Sequence, residues 1–190
     1  LVPRPSYQQG VQEISLFDLL KSALRQRPDY IIVGEVRGEE AYTLFQSIAT
    51  GHGGICSIHA DSIEYALKRL RTRPMNIPDI MIPLMNVAIQ IRRMKKNNKI
   101  IRRIDTVTEI LGIDKSNNII TKNIFIWDPD NDKYKYIKTK NQDNIFNDIS
   151  NIKHISLDVL NEELKKREII IKWIIKYDVR DNDCGSEQIW

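Results

Sequence analysis

Glu35 and Arg37 close a stretch that reads Pro28-Asp29-Tyr30-Ile31-Ile32-Val33-Gly34-Glu35-Val36-Arg37-Gly38. A short, continuously apolar run that ends in an acid could hold magnesium and line up a water for attack on a phosphate. The acid has to stand at the C-terminal end of such a strand, because ligands of open α/β sheets bind there. Arg37 lies two residues further on. It projects to the same side as Glu35 if the extended geometry continues, where it could brace the acid or reach a phosphate. An ordinary ion pair at a strand end has the same spacing, and the two readings stay open on spacing alone.

A second cluster reads Thr50-Gly51-His52-Gly53-Gly54-Ile55-Cys56-Ser57-Ile58-His59-Ala60-Asp61. Its glycines permit tight turns and close backbone approach. Ser57 and His59 share one face at the end of an apolar segment, where a γ-phosphate could be sensed. Ordinary loop-edge histidines would look the same. His52, His59 and Asp61 together could be imagined as a zinc site. The pair of histidines lacks a common helical spacing, so no metal held directly by the protein is expected.

These clusters need elements to carry them. Ser15 and Asp18 form a capping box ahead of Leu16, Leu19, Leu20, Ala23 and Leu24, which recur at helical spacing until Pro28. Residues 30–33 read as a strand buried on both faces of a parallel sheet. A helix is predicted from Glu39 to about Thr50, with Gly51 as its C-terminal cap. Ile55–Ile58 reads as a second buried strand. Asp61 and Glu64 cap a helix over Ile63 to about Thr72, stopped by Pro74. That alternation predicts an α/β fold with a parallel sheet. After residue 84 the pattern changes. Val87, Ile89 and Ile91 alternate, and residues 99–113, 119–127 and 133–138 read as strands. Asn117-Asn118 and Asp130-Asn131-Asp132 supply turns between them, which predicts a small antiparallel unit. From about 144 the chain reads as helical, with a long amphipathic helix over 157–177 whose apolar side is expected to pack on the domain.

Composition narrows the class. The chain has 190 residues, 42% hydrophobic, with 28% charged and a formal net charge of +4. That suits one domain, or a core with an appendage. Arg92, Arg93, Lys95, Lys96, Lys99, Arg102 and Arg103 lie in one stretch without an acid until Asp105. Such a stretch could bind nucleic acid, but it has little aromatic interleaving for base stacking, so nucleic acid is not expected as the partner. Cys56 and Cys184 are far apart and make no disulfide framework, which points to a reducing, intracellular setting. No run approaches ~18 consecutive apolar residues, the length a membrane span needs.

The two chemical clusters together resemble the archaeal branch of the type II/type IV secretion ATPase family, the motors of secretion systems, type IV pili and archaella. In that family the Walker B segment reads Arg-Pro-Asp-Tyr-Ile-Ile-Val-Gly-Glu, then Val or Ile, then Arg-Gly-Glu-Glu-Ala, and residues 27–41 match it throughout. The family's His box, Thr-Gly-His-Gly-Gly continuing to Ile-His-Ala-Asp-Ser, matches residues 50–62. Cys56 stands where Ser is usual and Ser57 where Thr is usual, so a hydroxyl survives. Pro74-Met75-Asn76-Ile77-Pro78, Thr108-Glu109-Ile110 and Phe125-Ile126-Trp127-Asp128-Pro129 resemble later segments of the same motor.

The resemblance implies a P-loop NTPase (RecA-like) core over 1–83, a C-terminal β and helical subdomain over 84–180, and a tail, 181–190, without assignment. It implies Glu35, Arg37 and His59 as catalytic residues. Gly34, Ser57 and His52 would serve nucleotide binding, and Arg25 and Arg27 would be candidates for contacts across a ring interface. ATP and Mg²⁺ would be the cofactors. The partners would be further copies in a hexameric ring, a polytopic membrane platform protein and, indirectly, secreted or pilin-like substrates. The location implied is cytoplasmic, at the inner face of the membrane.

One part of the expected machinery is missing. A P-loop reads Gly-x-x-x-x-Gly-Lys followed by Ser or Thr. The eight glycines, at 10, 34, 38, 51, 53, 54, 112 and 185, include none followed by Lys. The 190 residues are therefore expected to be a C-terminal piece of a motor, inactive alone. A non-catalytic module of the same family is the alternative.

Overall fold

Ser15 starts the first helix as its spacing predicts. Its hydroxyl accepts from the Asp18 backbone N–H at 3.1 Å, and the Asp18 carboxylate accepts from the Ser15 backbone N–H at 3.1 Å. The computed structural model describes residues 2–4, 13–96, 98–137 and 145–179. They fall into two units, Leu1–Thr139 and Lys140–Trp190. The tail at 181–190, with Cys184, and the end of the strand predicted to reach 138 lie outside the described residues.

In the first unit α1 (Leu16–Leu24) leads to β1 (Tyr30–Val33), α2 (Glu40–Ala49), β2 (Gly53–Cys56) and α3 (Ile63–Arg71). The strands pair in parallel, Tyr30 opposite Gly53 and Val33 opposite Cys56. A parallel pair needs a crossover, and α2 supplies it. A 3₁₀-helix, Asp79–Met85, leads into an antiparallel sheet ordered β3 (Val87–Lys96), β4 (Lys99–Ile113), β5 (Ile119–Asp128) and β6 (Lys133–Tyr136). Asn98, Asn117 and Asp132 adopt positive φ in the connections, a conformation that asparagine and aspartate tolerate. Asp114 braces the β4–β5 turn by accepting from the backbone N–H groups of Ser116 and Asn118, each at 2.8 Å. The change of texture near 84 is thus a change from parallel to antiparallel pairing.

One apolar core joins both sheets. Ile31, Val33 and Val36 meet Ala41, Leu44 and Phe45 of α2, Leu67 and Leu70 of α3, Met75, Ile77, Ile82 and, from β4, Ile110. Leu44 is 1% exposed and Ile82 is fully enclosed.

Three expectations are corrected. β1 is buried on one face only: Ile31 and Val33 enter the core, while Tyr30 and Ile32 stay 67% and 72% exposed. The apolar run hid an alternation, because the core lies on one side of a sheet of two described strands. β2 lies two residues earlier than predicted, at Gly53–Cys56, and is mostly exposed. Its register with β1 places Ser57 beyond the end of the ladder. α3 is capped by Ser62, whose hydroxyl accepts from the Tyr65 N–H at 3.3 Å, and not by Asp61.

The second unit is a helix pair, α4 (Ile145–Lys153) and α5 (Leu157–Lys176). Ser156 caps α5, accepting from the Val159 N–H at 3.3 Å. Neither helix holds a fully buried side chain among the described residues, and Leu157, Leu160, Ile170, Trp173 and Ile174 make up the half-buried side of α5. Among the described residues no helix is long and apolar enough to cross a membrane.

Candidate functional site at the ends of the parallel strands

Parallel pairing brings the C-terminal ends of β1 and β2 side by side. Two hydrogen bonds then link the segments that leave them. The Val36 N–H donates to the Ser57 carbonyl at 2.9 Å, and the Ser57 hydroxyl donates to the Gly34 carbonyl at 2.5 Å. Val36 is 1% exposed and anchored in the core. Its neighbours are thereby turned outward together, since side chains of extended backbone alternate. Glu35 and Arg37 meet on that side: Arg37 Nη2 donates to Glu35 Oε2 at 2.6 Å. Behind them the Glu40 carboxylate at the start of α2 accepts from the Arg37 N–H at 2.6 Å and the Gly38 N–H at 2.9 Å.

The other carboxylate oxygen, Glu35 Oε1, stands 3.7 Å from His59 Nε2. Arg69 of α3 donates from Nη1 to the His59 carbonyl oxygen and so holds the loop that carries the imidazole. The Glu35 carboxyl titrates below its ordinary range. The Arg37 hydrogen bond is the largest cause; partial desolvation opposes it, and the charges of Arg37, His59 and Arg69 add to the lowering. The site therefore presents an ionised acid among cations, partly open to solvent.

The structure brings Glu35, Arg37, Gly34, Ser57 and His59 together. His52 is elsewhere. It precedes β2, at the end opposite Ser57, and its Nδ1 lies 3.1 Å from the Ser47 carbonyl at the close of α2. Four residues of strand separate the two ends, roughly 13 Å. This also separates the imagined zinc ligands, and among the described residues no group of three or more His, Cys, Asp or Glu is placed to hold a metal. Arg25 caps α1, whereas Arg27 lies past the helix at positive φ. Both are exposed.

Ser57 has used its only proton on Gly34. A hydroxyl has one donor, so Ser57 cannot donate to a phosphate without releasing that bond. Sequence reasoning missed Arg69 and Glu40. Glu40 falls within the matched Walker B segment, but nothing in the spacing shows it turning back onto the preceding backbone. Arg69 lies ten residues from His59, and only the path of α3 brings it back.

Residues 7–129 match the family described as Type II/IV secretion system protein, and the chain belongs to that family. It is 49% identical over 126 residues to the uncharacterized protein MJ1287 of Methanocaldococcus jannaschii, covering 65% of this chain and 46% of that protein. A second uncharacterized protein of the same organism, MJ0900, is 35% identical over 199 residues, covering 99% of this chain and 36% of its own length. The type IV secretion system protein PtlH of Bordetella pertussis is 43% identical over 72 residues, 37% of this chain and 21% of that one. Among solved structures, the VirB11 ATPase of the Brucella suis type IV secretion system, in complex with sulphate, superposes with a TM-score of 0.41 at 31% identity, covering 50% of this chain and 31% of that one. The chain spans less than half the length of the Methanocaldococcus relatives it matches.

Proposed function

We propose that these residues form the water-positioning half of a nucleotide-hydrolysing site in a type II/IV secretion motor. The observation that supports this best is Glu35. It is an ionised carboxylate at the C-terminal end of parallel strands, with Oε2 held by Arg37 and Oε1 facing His59. Glu35 would orient or activate the attacking water.

The donor set fits magnesium-ATP in part. Magnesium keeps several waters and takes one or two carboxylates together with substrate phosphates. Glu35 offers that carboxylate, and the cations around it suit an anionic ligand. When bound, magnesium-ATP would supply the phosphoryl group and the charge neutralisation its transfer requires. Arg37, exposed beyond Glu35, is free to swing from the acid to a phosphate oxygen. His59 is kept within reach of the same volume by Arg69. The grip on the β and γ phosphates comes from a P-loop, which these 190 residues do not contain. In this reading the parallel unit is the later part of a RecA-like core. The antiparallel sheet and helices are the C-terminal subdomain of a motor that works as a hexameric ring beside a membrane platform protein. Arg25 or Arg27 would then reach a neighbouring subunit.

The test uses the full-length protein that contains this segment. Glu35→Gln should lower ATP turnover on the order of 10²–10⁴-fold while ATP binding persists. Unchanged turnover would overthrow the role of Glu35. Absence of turnover and of ATP binding in the unsubstituted protein would favour the non-catalytic module.

A further inference from the structure

The ribbon formed by β3 and β4 carries an arrangement that hydrolysis does not use. Its register sets Arg93 opposite Arg102 and Arg92 opposite Arg103. Like charges directly opposite on neighbouring strands destabilise a sheet. On one face the conflict is neutralised internally: Arg92 Nη2 lies 2.5 Å from Asp105 Oδ2, and Arg103 Nε lies 2.8 Å from Asp132 Oδ1. On the other face it is not. Among the described residues no carboxylate pairs with Arg93, Lys95 or Arg102, and all three are exposed. The same face carries Ile91 opposite Ile104, and Ile100 opposite Lys95. Ile91 is 65% exposed and Ile100 57%.

We propose that this face of the β3–β4 ribbon rests on an anionic lipid surface, with Arg93, Lys95 and Arg102 at the headgroups and Ile91, Ile100 and Ile104 in the interfacial layer. Charge complementarity supplies the first argument. A phosphate between Arg93 and Arg102 removes their mutual repulsion and accepts charge-assisted hydrogen bonds from both. The isoleucines supply the second. Interleaved cations and apolar side chains suit the headgroup–acyl boundary, where long basic side chains reach outward from an apolar base. A nucleic acid backbone would satisfy the cations but leave the isoleucines in water, and this stretch offers no ring for base stacking. The surface is independent of Glu35 and stands whether or not the motor hydrolyses ATP.

Vesicle flotation of the purified chain tests it. The unsubstituted chain should float with equimolar phosphatidylcholine–phosphatidylglycerol vesicles at low salt, and should not float with phosphatidylcholine alone or at high salt. Arg93→Gln with Arg102→Gln should weaken binding on the order of thirtyfold, the effect of removing two surface cations. Its melting temperature should be unchanged or higher, because the like-charge pair is gone. Ile91→Ser should weaken binding without any change in charge. Lys68→Gln with Lys115→Gln removes the same net charge elsewhere and should bind as the parent does. Equal loss in that control would overturn the proposal, as would full binding by the Arg93/Arg102 variant. So would an absence of vesicle binding together with single-stranded DNA binding that the Arg93/Arg102 substitutions abolish, since the ribbon would then serve nucleic acid.

Discussion

Replacing Leu44 by alanine tests the core that holds the site in place. Leu44 is 1% exposed in the middle of α2. The start of that helix carries Glu40, which accepts from the Arg37 and Gly38 backbone, and its end carries the Ser47 carbonyl that meets His52. Truncating a buried leucine removes apolar contact and leaves a cavity that the surroundings only partly fill. The expected cost is about 2–5 kcal/mol. For a domain of this size each kcal/mol lowers the melting temperature by roughly 2–4 °C, so Leu44→Ala should melt on the order of 5–20 °C lower. Ile32→Ala is the comparison. Ile32 belongs to the neighbouring strand and is just as apolar, but it is 72% exposed. Its truncation should change stability by about 0.5 kcal/mol or less. Thermal unfolding followed by circular dichroism measures both. Equal losses would refute the reasoning, because they would mean that both faces of β1 are covered.

Two further predictions concern the site. Arg37→Met removes the principal cause of the lowered Glu35 titration, so the Glu35 midpoint should rise toward the ordinary 4.5 in a carbon-detected NMR titration. In the parent this carboxylate favours the folded state above its ordinary midpoint and loses that contribution as the pH falls through the depressed one, so the variant should show a smaller loss of stability in mild acid. Gly54→Ala would place a Cβ 2.5 Å from Ile48 Cδ1, and displacing that side chain should cost about 1–3 kcal/mol in thermal unfolding.

Much of this architecture is legible in the residues, and the losses have identifiable causes. The strands β4 and β5 are read nearly residue for residue, because alternation and Asn- or Asp-rich turns are local signals, whereas β3 runs on to Lys96 past the alternation of Val87, Ile89 and Ile91. The Glu35–Arg37 pairing is foreshadowed by a spacing of two beside the anchored Val36. The open face of β1 is not, since an unbroken apolar run is the same whether one side or two are covered. Gly53 and Gly54 look like turn glycines but lie in β2, where the Tyr30 ring and Ile48 leave no space for a Cβ. His52 falls away from the site because parallel pairing fixes which strand end faces Glu35, a relation between distant segments. Arg69 and Ile110 arrive through tertiary packing, and neither carries a local mark.

The uncovered side of the parallel pair has a practical consequence. Tyr30, Ile32 and Ile55 make one apolar row across β1 and β2, and among the described residues neither outer edge of the pair bears another strand. Open backbone edges beside an apolar row are a template for adding extended chain. At high concentration the isolated 190 residues should therefore self-associate through this pair, and a charged substitution at Ile32 should raise the solubility limit without disturbing the core beneath it.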